Sequence, residues 1–316
     1  MKEQDILLNF CSTDRRKDYV NAYFDNGMCI TSAAKALGVD RRAVGRGLDA
    51  VREAAQSAGF QLLDEEPRVG FFDIETTPIV GHVWHPYTKG GLIGGHKHML
   101  EDVKLLSYAW KWKGEDEVKF VGLNTATNEE MLQQLWDLLD EADWVVAHNG
   151  DNFDFKLVHA WMARAGMTPY RSVKQIDTLK MAKRRFKFTV NRLDYLCQVF
   201  FGEGKEDTGG FDLWLRCLEG DEEAWALMQQ YNEKDVTLLE QLYYRLAAWD
   251  KSHPNYALWA GADNEAMCGT CGSSNVKRNG FARTGVSKFP NYTCGDCGAH
   301  WRGRKSVQVV PLAMSR

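Results

Sequence analysis

Phe71-Phe-Asp-Ile-Glu-Thr-Thr-Pro78 is the stretch on which the fold turns. With Val69 ahead of it, the apolar run predicts a buried strand over 69–74, entered from the acidic, proline-ended hinge Asp64-Glu-Glu-Pro67. A strand repeats every two residues, so Asp73 and Glu75 share one face while Phe72 and Ile74 point into a core. Like charges so placed repel, and paired hard oxygen donors are what Mg²⁺ or Mn²⁺ takes. Taken alone, the pair also reads as an exposed strand edge, so its meaning depends on the rest of the chain.

Working outward, Leu105 to Trp112, Val118 to Leu123 and Trp144 to Ala147 read as further strands. Between them Glu129 to Leu139 has a helical apolar period, with Thr127 and Glu130 set for a capping box. Helices follow over Phe153 to Ala165, Leu193 to Phe200 and from Asp221 toward Trp249. Strands with helices between them predict an α/β layered domain.

Two further acidic motifs lie on these elements. His148-Asn-Gly-Asp-Asn-Phe-Asp-Phe155 follows a strand and opens a helix, which places Asp154 near a sheet end. In Tyr231-Asn-Glu-Lys-Asp235 the spacing of four stacks Tyr231 and Asp235 on one helical face. Asp-x-Glu, Asn-x-x-x-Phe-Asp and Tyr-x-x-x-Asp, in this order, resemble the three exonuclease motifs of the DEDD superfamily, tyrosine branch. The nearest likeness is the 3′ to 5′ proofreading-type domain of family B DNA polymerases, and it covers roughly residues 68 to 250. It takes in Leu105-Leu-Ser-Tyr-Ala-Trp-Lys-Trp, Asp177-Thr-Leu and Asn191-Arg-Leu-Asp-Tyr-Leu. The resemblance implies a ribonuclease H-like mixed sheet and two divalent ions, Mg²⁺ or Mn²⁺. Asp73 would bridge the two, Glu75 and Asp235 would complete one site, and Asp154 would hold the other. Tyr231 would orient the attacking water; otherwise it is a packed aromatic. Asn149 and Phe153, in the second motif, become candidates for contact with nucleic acid.

Arg171 to Arg192 holds eight basic residues, among them Lys183, Arg184, Arg185 and Lys187, against the single acid Asp177. It reads equally as a phosphate-facing surface or a solvated helix face. Lys205 is a weaker candidate. The glycine-rich loop His82 to His98 carries His82, His85, His96 and His98 at irregular spacing, so it reads as a surface loop, where Trp84 could stack on a base.

The flanks differ in kind. Cys268-x-x-Cys271 and, 22 residues on, Cys294-x-x-Cys297 form two metal knuckles suited to one structural Zn²⁺ held by four thiolates. With Trp301, Arg302 and Arg304 after the second knuckle, the segment resembles a transposase-type zinc ribbon. Asp14 to Phe60 predicts three short helices, the second capped by Thr31 or Ser32 and ended at Gly38. The third, opened by Asp40, carries Arg41, Arg42 and Arg46, and the set resembles a helix-turn-helix. It would bind DNA, or else simply pack as a bundle or bind protein. Cys11 and Cys29 read as small apolar residues.

The expected division is therefore a helix-turn-helix-like module at 1–66, the exonuclease domain at 67–250, a linker at 251–262 and the ribbon at 263–316. Net charge is −2, −7 and +5 over 1–66, 67–262 and 263–316, so only the tail is basic. Composition is globular, no apolar run reaches 18 residues, and the start Met1-Lys-Glu-Gln-Asp lacks the pattern of a signal peptide. The expected place is the cytoplasm of a bacterial or phage-infected cell, with nucleic acid as partner and no membrane. The flanking modules favour DNA over RNA. The main expectation is a metal-dependent 3′ to 5′ exonuclease; an exoribonuclease, or a non-catalytic DNA-binding protein with a vestigial nuclease core, are the other readings.

Overall fold

The computed structural model describes residues 3–25, 30–58, 67–82, 96–204, 209–259 and 267–310. Cys29, Trp84, His85 and Lys205 lie outside the described residues. The chain divides into two compact units, Met1–Glu66 with Tyr256–Gly272 and Pro67–Asn255 with Ser273–Arg316.

In the first, α1 (Glu3–Asn9), α2 (Asp14–Asp25), α3 (Ile30–Leu37) and α4 (Arg41–Ser57) enclose a small core. The three expected helices are present, and α1 precedes them because Leu7 is fully buried against the same core. Helix α3 begins at Ile30, so Thr31 and Ser32 stand inside it, not ahead of it. Gly38, at φ 64°, makes the turn into α4, where the backbone carbonyl of Asp40 accepts from the amides of Ala43 and Val44.

In the second, β1 (Val69–Thr76) is followed by β2 (Val80–Gly81), β3 (Met99–Glu101), β4 (Leu105–Trp112), β5 (Val118–Gly122), α5 (Asn128–Glu141) and β6 (Trp144–Ala147). Then come α6 (Asp154–Arg164), β7 (Lys174–Asp177), α7 (Thr178–Arg185), α8 (Leu193–Phe201), α9 (Phe211–Leu218) and α10 (Glu222–Ala247). Helix α5 has the expected capping box: the Glu130 amide donates to the Thr127 hydroxyl, and the Thr127 amide to the Glu130 carboxylate. The main sheet runs β5-β4-β1-β6-β7, antiparallel on the β4 side of β1 and parallel on the β6 side. Strand β1 is thus central, not an edge.

Its two faces are covered differently. Phe72 and Ile74 join Tyr108, Trp110, Val145 and the inner faces of α5 and α6 in the main core. Phe71 lies on the other face, edge-on to Tyr243 of α10 at 5.5 Å. Asp73 and Glu75 share the parity of Phe71 and so face α10. The strands β8 (Val276–Arg283), β9 (Ser287–Cys294), β10 (His300–Arg302) and β11 (Gln308–Val309) form a separate antiparallel sheet around β9.

Candidate active site and metal centres

Strand β1 runs parallel to β6 only as far as Phe71, which lies opposite Val146. Beyond that β6 ends at Ala147 and the chain turns away, leaving the next stretch of β1 without a strand on that side. Asp154, at the first turn of α6 and 3% exposed, takes this place: its Oδ1 accepts from the Ile74 amide at 3.3 Å. On the other side β4 stays paired, with Ala109 opposite Asp73 and Ser107 opposite Glu75. The small side chains on β4 let α10 approach. A register shift at Glu75/Thr76 makes a bulge that leaves Leu106 to pack with Leu213, Trp225 and Met228.

Helix α10 supplies the third motif. One carboxylate oxygen from each of Asp73, Glu75 and Asp235 lies within 4.8 Å of the others, and Asp235 is fully buried. Three carboxylates so close repel unless a cation offsets them, and an all-oxygen donor set suits a hard divalent ion such as Mg²⁺ or Mn²⁺. Asp154 lies outside this group, bonded to the same strand from its other side. Tyr231, one turn before Asp235, is half-buried, its ring edge-on to Trp214 at 6.0 Å.

Two residues that the motifs pass over fix this cluster. Asn232, fully buried, donates from Nδ2 to Asp73 Oδ2 at 2.9 Å, and its Oδ1 accepts from the Ser107 hydroxyl at 3.2 Å. Its amide is therefore held at both ends and aims one oxygen of Asp73. Two turns further on, Lys111 of β4 pairs with Glu240 of α10, which fixes the same helix against the same strand. An asparagine inside a helix reads as a solvent-facing polar residue, and nothing in the local sequence pattern marks it otherwise.

Beside the carboxylates is a groove of about 750 Å³. Asp73, His148, Asn149, Leu179, Lys183 and the segment 189–194 line it. The β6–α6 turn is tied down strongly. Asn149 has a left-handed φ of 68°, which non-glycine residues seldom adopt, and its amide donates to Asp177 Oδ1 at 3.0 Å. The same Asp177 oxygen caps α7 by accepting from Leu179 and Lys180. His148 Nε2 donates to the Asn191 carbonyl and Nδ1 lies 2.9 Å from the Thr178 hydroxyl, so the ring ties the β6–α6 turn to the start of α7 and to the segment before α8.

The remaining sequence candidates separate by position. Phe153 is 42% exposed at the start of α6, and Asn149 lines the groove. Lys183, Arg185 and Lys187 are exposed, whereas the Arg184 guanidinium is 2.7 Å from the buried carboxylate of Asp250. Lys183, Arg184 and Arg185 also occupy the last turn of α7, where cations complement the helix dipole. In the helical unit Arg42 and Arg46 are exposed and Arg41 half-buried.

The Sγ atoms of Cys268, Cys271, Cys294 and Cys297 lie within 4.8 Å of one another. Each knuckle is built alike. The Thr270 amide points at Cys268 Sγ and the Asp296 amide at Cys294 Sγ, both at 3.4 Å. The residue after each second cysteine, Gly272 or Gly298, is left-handed at φ 79° and 75°, a conformation that favours glycine. Its amide returns to the carbonyl of the first cysteine. A four-sulfur donor set fits Zn²⁺. The arrangement is compatible with a zinc ribbon. Arg302 lies over Phe289 at 4.5 Å, and Arg304 is exposed.

Among the described residues no helix is long and apolar enough to cross a membrane. No curated protein matches the chain. The family model of the RNase H superfamily matches residues 70–247, more than half of the 316 residues. That span opens inside β1 and closes on the last residue of α10, the two elements that carry the clustered carboxylates. The chain belongs to the RNase H superfamily, a nuclease-type fold that binds nucleic acid.

Proposed function

We propose that the chain is a 3′ to 5′ exonuclease of the DEDD tyrosine branch that hydrolyses DNA with the help of two Mg²⁺ or Mn²⁺ ions. The observation that carries this reading is the convergence of Asp73, Glu75 and Asp235 from a central strand and a long helix, with Asp154 bonded to the same strand. When bound, a pair of divalent ions supplies an activated water and offsets charge on the leaving oxygen. The protein's part is placement. Glu75 and Asp235, with Asp73, would hold one ion, and Asp154, with Asp73, would hold the other. Asn232 fixes the orientation of the Asp73 carboxylate. The Tyr231 hydroxyl, carried one helical turn from Asp235, orients the water for in-line attack at phosphorus. The groove beside Asp73 receives the terminal nucleotide, with Lys183 and Asn149 in its lining, and Phe153, exposed at the start of α6, is a further candidate for contact with it.

The flanks serve affinity. In this reading residues 1–66 form a helix-turn-helix-like DNA-binding module carrying Arg41, Arg42 and Arg46. Residues 251–262 are a linker, and 263–316 a transposase-type ribbon with one Zn²⁺ and the basic residues Arg302 and Arg304. The charge excess of the ribbon, net +5, supports a polyanion as its ligand, and these modules favour DNA.

End-labelled single-stranded DNA, duplex DNA and RNA, each incubated with Mg²⁺, Mn²⁺ or EDTA, test the proposal. The expected outcome is stepwise loss of nucleotides from the 3′ end of DNA, supported by either cation and stopped by EDTA. Degradation from the 5′ end, or insensitivity to EDTA, overturns the mechanism. Hydrolysis of RNA alone replaces it with an exoribonuclease, and an intact substrate in every arm leaves a binding protein with a vestigial core.

A further inference from the structure

The segment that lines the groove at Lys183 and at residues 189–194 also carries part of a row of aromatic rings that the hydrolytic site does not use. Phe186 and Phe188 stack at 5.2 Å with 29° between their planes. Trp249 meets Phe186 edge-on at 5.5 Å, and Phe200 meets Phe188 at 5.5 Å. The three phenylalanines are half-buried, and Trp249 is 62% exposed. Val190 and Val199 add exposed apolar surface, and the Arg245 guanidinium lies over Phe200 at 5.6 Å. Isolated exposed apolar residues need no explanation, but several aromatics in ring contact on the surface do.

The row is both anchored and charged. Arg184 is bonded to the buried carboxylate of Asp250, which directly follows Trp249, so the chain at the tryptophan is anchored. Lys183, Arg185, Lys187 and Arg192 are exposed along the same stretch. The segment is also continuous with the groove: Lys183 lines it, and the chain that carries Phe186 and Phe188 runs on into residues 189–194, which line it as well. A surface that offers ring faces and cations together, and leads to a cluster of phosphodiester-directed carboxylates, has the chemistry of a track for unpaired bases. In a duplex the base faces are covered by their neighbours and cannot use such rings.

We infer that Trp249, Phe186, Phe188 and Phe200, with Lys187 and Arg192, form a stacking platform that delivers single-stranded nucleic acid to the groove. The inference rests on the nucleic-acid reading of the site and adds the strandedness of its substrate. Phosphates are held by the cations and bases by the rings, so affinity has a part that depends on charge and a part that depends on bases.

Binding of fluorescently labelled oligonucleotides to the full chain carrying Asp73→Ala separates these parts. A thymine strand, an abasic strand of equal length and charge, and a blunt duplex are compared at one salt concentration. The thymine strand is expected to bind about tenfold more tightly than the abasic strand, the scale set by one stacked base. Adding Trp249→Ala or Phe188→Leu is expected to remove most of that ratio, leave abasic binding unchanged and leave the melting temperature within a degree or so. Equal binding of thymine and abasic strands overturns the platform without recourse to any variant, and so does a duplex that binds as tightly as the thymine strand. A ratio that survives both substitutions overturns it as well. Strand integrity is read on a gel after each titration: cleavage by the Asp73→Ala chain would reject the active-site reading and leave the binding ratio to judge the platform by itself.

Discussion

The carboxylate cluster and the cysteine cluster are both groups of metal-ligating side chains drawn within 4.8 Å, yet they are built in opposite ways. Asp73, Glu75 and Asp235 are brought together by elements that pack for other reasons: β1 is buried on both faces, and α10 lies along it through Phe71, Tyr243 and the Lys111–Glu240 pair. The cysteines sit on two short knuckles beside a thin sheet whose strand β8 is mostly exposed. In the first case the core holds the ligands; in the second the ligands, once bound to metal, hold the segment. The two sites should therefore respond in opposite senses when a ligand is removed.

The largest effect is expected at Asp73. Asp73→Asn keeps the shape and the acceptor that Asn232 uses, and removes a charge from a repelling cluster. Hydrolysis should fall below about a thousandth of wild type, while the melting temperature holds or rises. Asp154→Ala is expected to be as inactive but less stable, because the Ile74 amide loses its acceptor in a buried place at a cost of about 1–3 kcal/mol. Activity measurements and thermal melts on the purified variants decide this; an active Asp73→Asn would break the carboxylate half of the comparison.

The cysteine half predicts the reverse. One zinc per chain should be found by elemental analysis of protein purified without added metal, and Cys294→Ser should lose it. Amide exchange in β8 and β9 should then become fast while that of β1 and β4 stays slow, since the main core of Phe72, Trp110 and Leu135 touches none of the cysteines. Protection that is unchanged in β9 after zinc loss would show that the small sheet holds itself together.

Asn232 tests whether the carboxylate site is only a by-product of packing. Asn232→Leu fills the same space but stops aiming Asp73 and strands the Ser107 hydroxyl. Outer partners of metal ligands typically count for about 10–100-fold, so Mn²⁺ affinity measured by calorimetry should weaken on that scale and activity should recover at high Mn²⁺. Loss of activity that excess cation does not restore would assign Asn232 a purely structural part.

How much of this could be read from the sequence follows the range of the forces involved. Leu105–Trp112 and Trp144–Ala147 have the limits expected of them because uninterrupted apolar runs specify buried strands locally. The capping box at Thr127 and the left-handed glycines after Cys271 and Cys297 are likewise local. Strand β7 was not expected: Lys174-Gln-Ile-Asp177 has one apolar residue, and it is a strand because β6 pairs with it at the sheet edge. Helix α9 is likewise not predicted, since its eight residues span only about two turns, too few for a period to stand out. The three carboxylate motifs were legible as patterns, but their bonding was not. Asn232 reaches Asp73 across 159 positions and Ser107 across 125, and no local period encodes a hydrogen bond of that reach.

The smallest expected effect separates the two regions by acid. His253 is half-buried in the core-built region beside Trp144, where its Nδ1–H donates to the Pro254 carbonyl and its Nε2 accepts from the Tyr243 hydroxyl, both at 2.7 Å. Those partners fit the neutral ring. Burial pushes the His253 pKa down, only partly opposed by the Pro254 carbonyl and the charge of Asp250. With the folded value below the unfolded one, the unfolded chain binds the proton first as pH falls. The stabilisation is thus complete above the ordinary histidine value of about 6.5 and is lost progressively below it. The melting temperature of the main core should drop modestly between pH 7.5 and pH 5, and less so in His253→Gln, whose amide can still donate and accept without taking a proton. The ribbon has its own acid limit, because protonated thiols release zinc. Zinc release followed with a chromogenic chelator over the same pH range should therefore be identical in wild type and His253→Gln, while the core transition differs. A core transition with the same pH dependence in both proteins would remove His253 as its cause, and a zinc-release curve that moves with the substitution would mean that the two regions do not unfold independently.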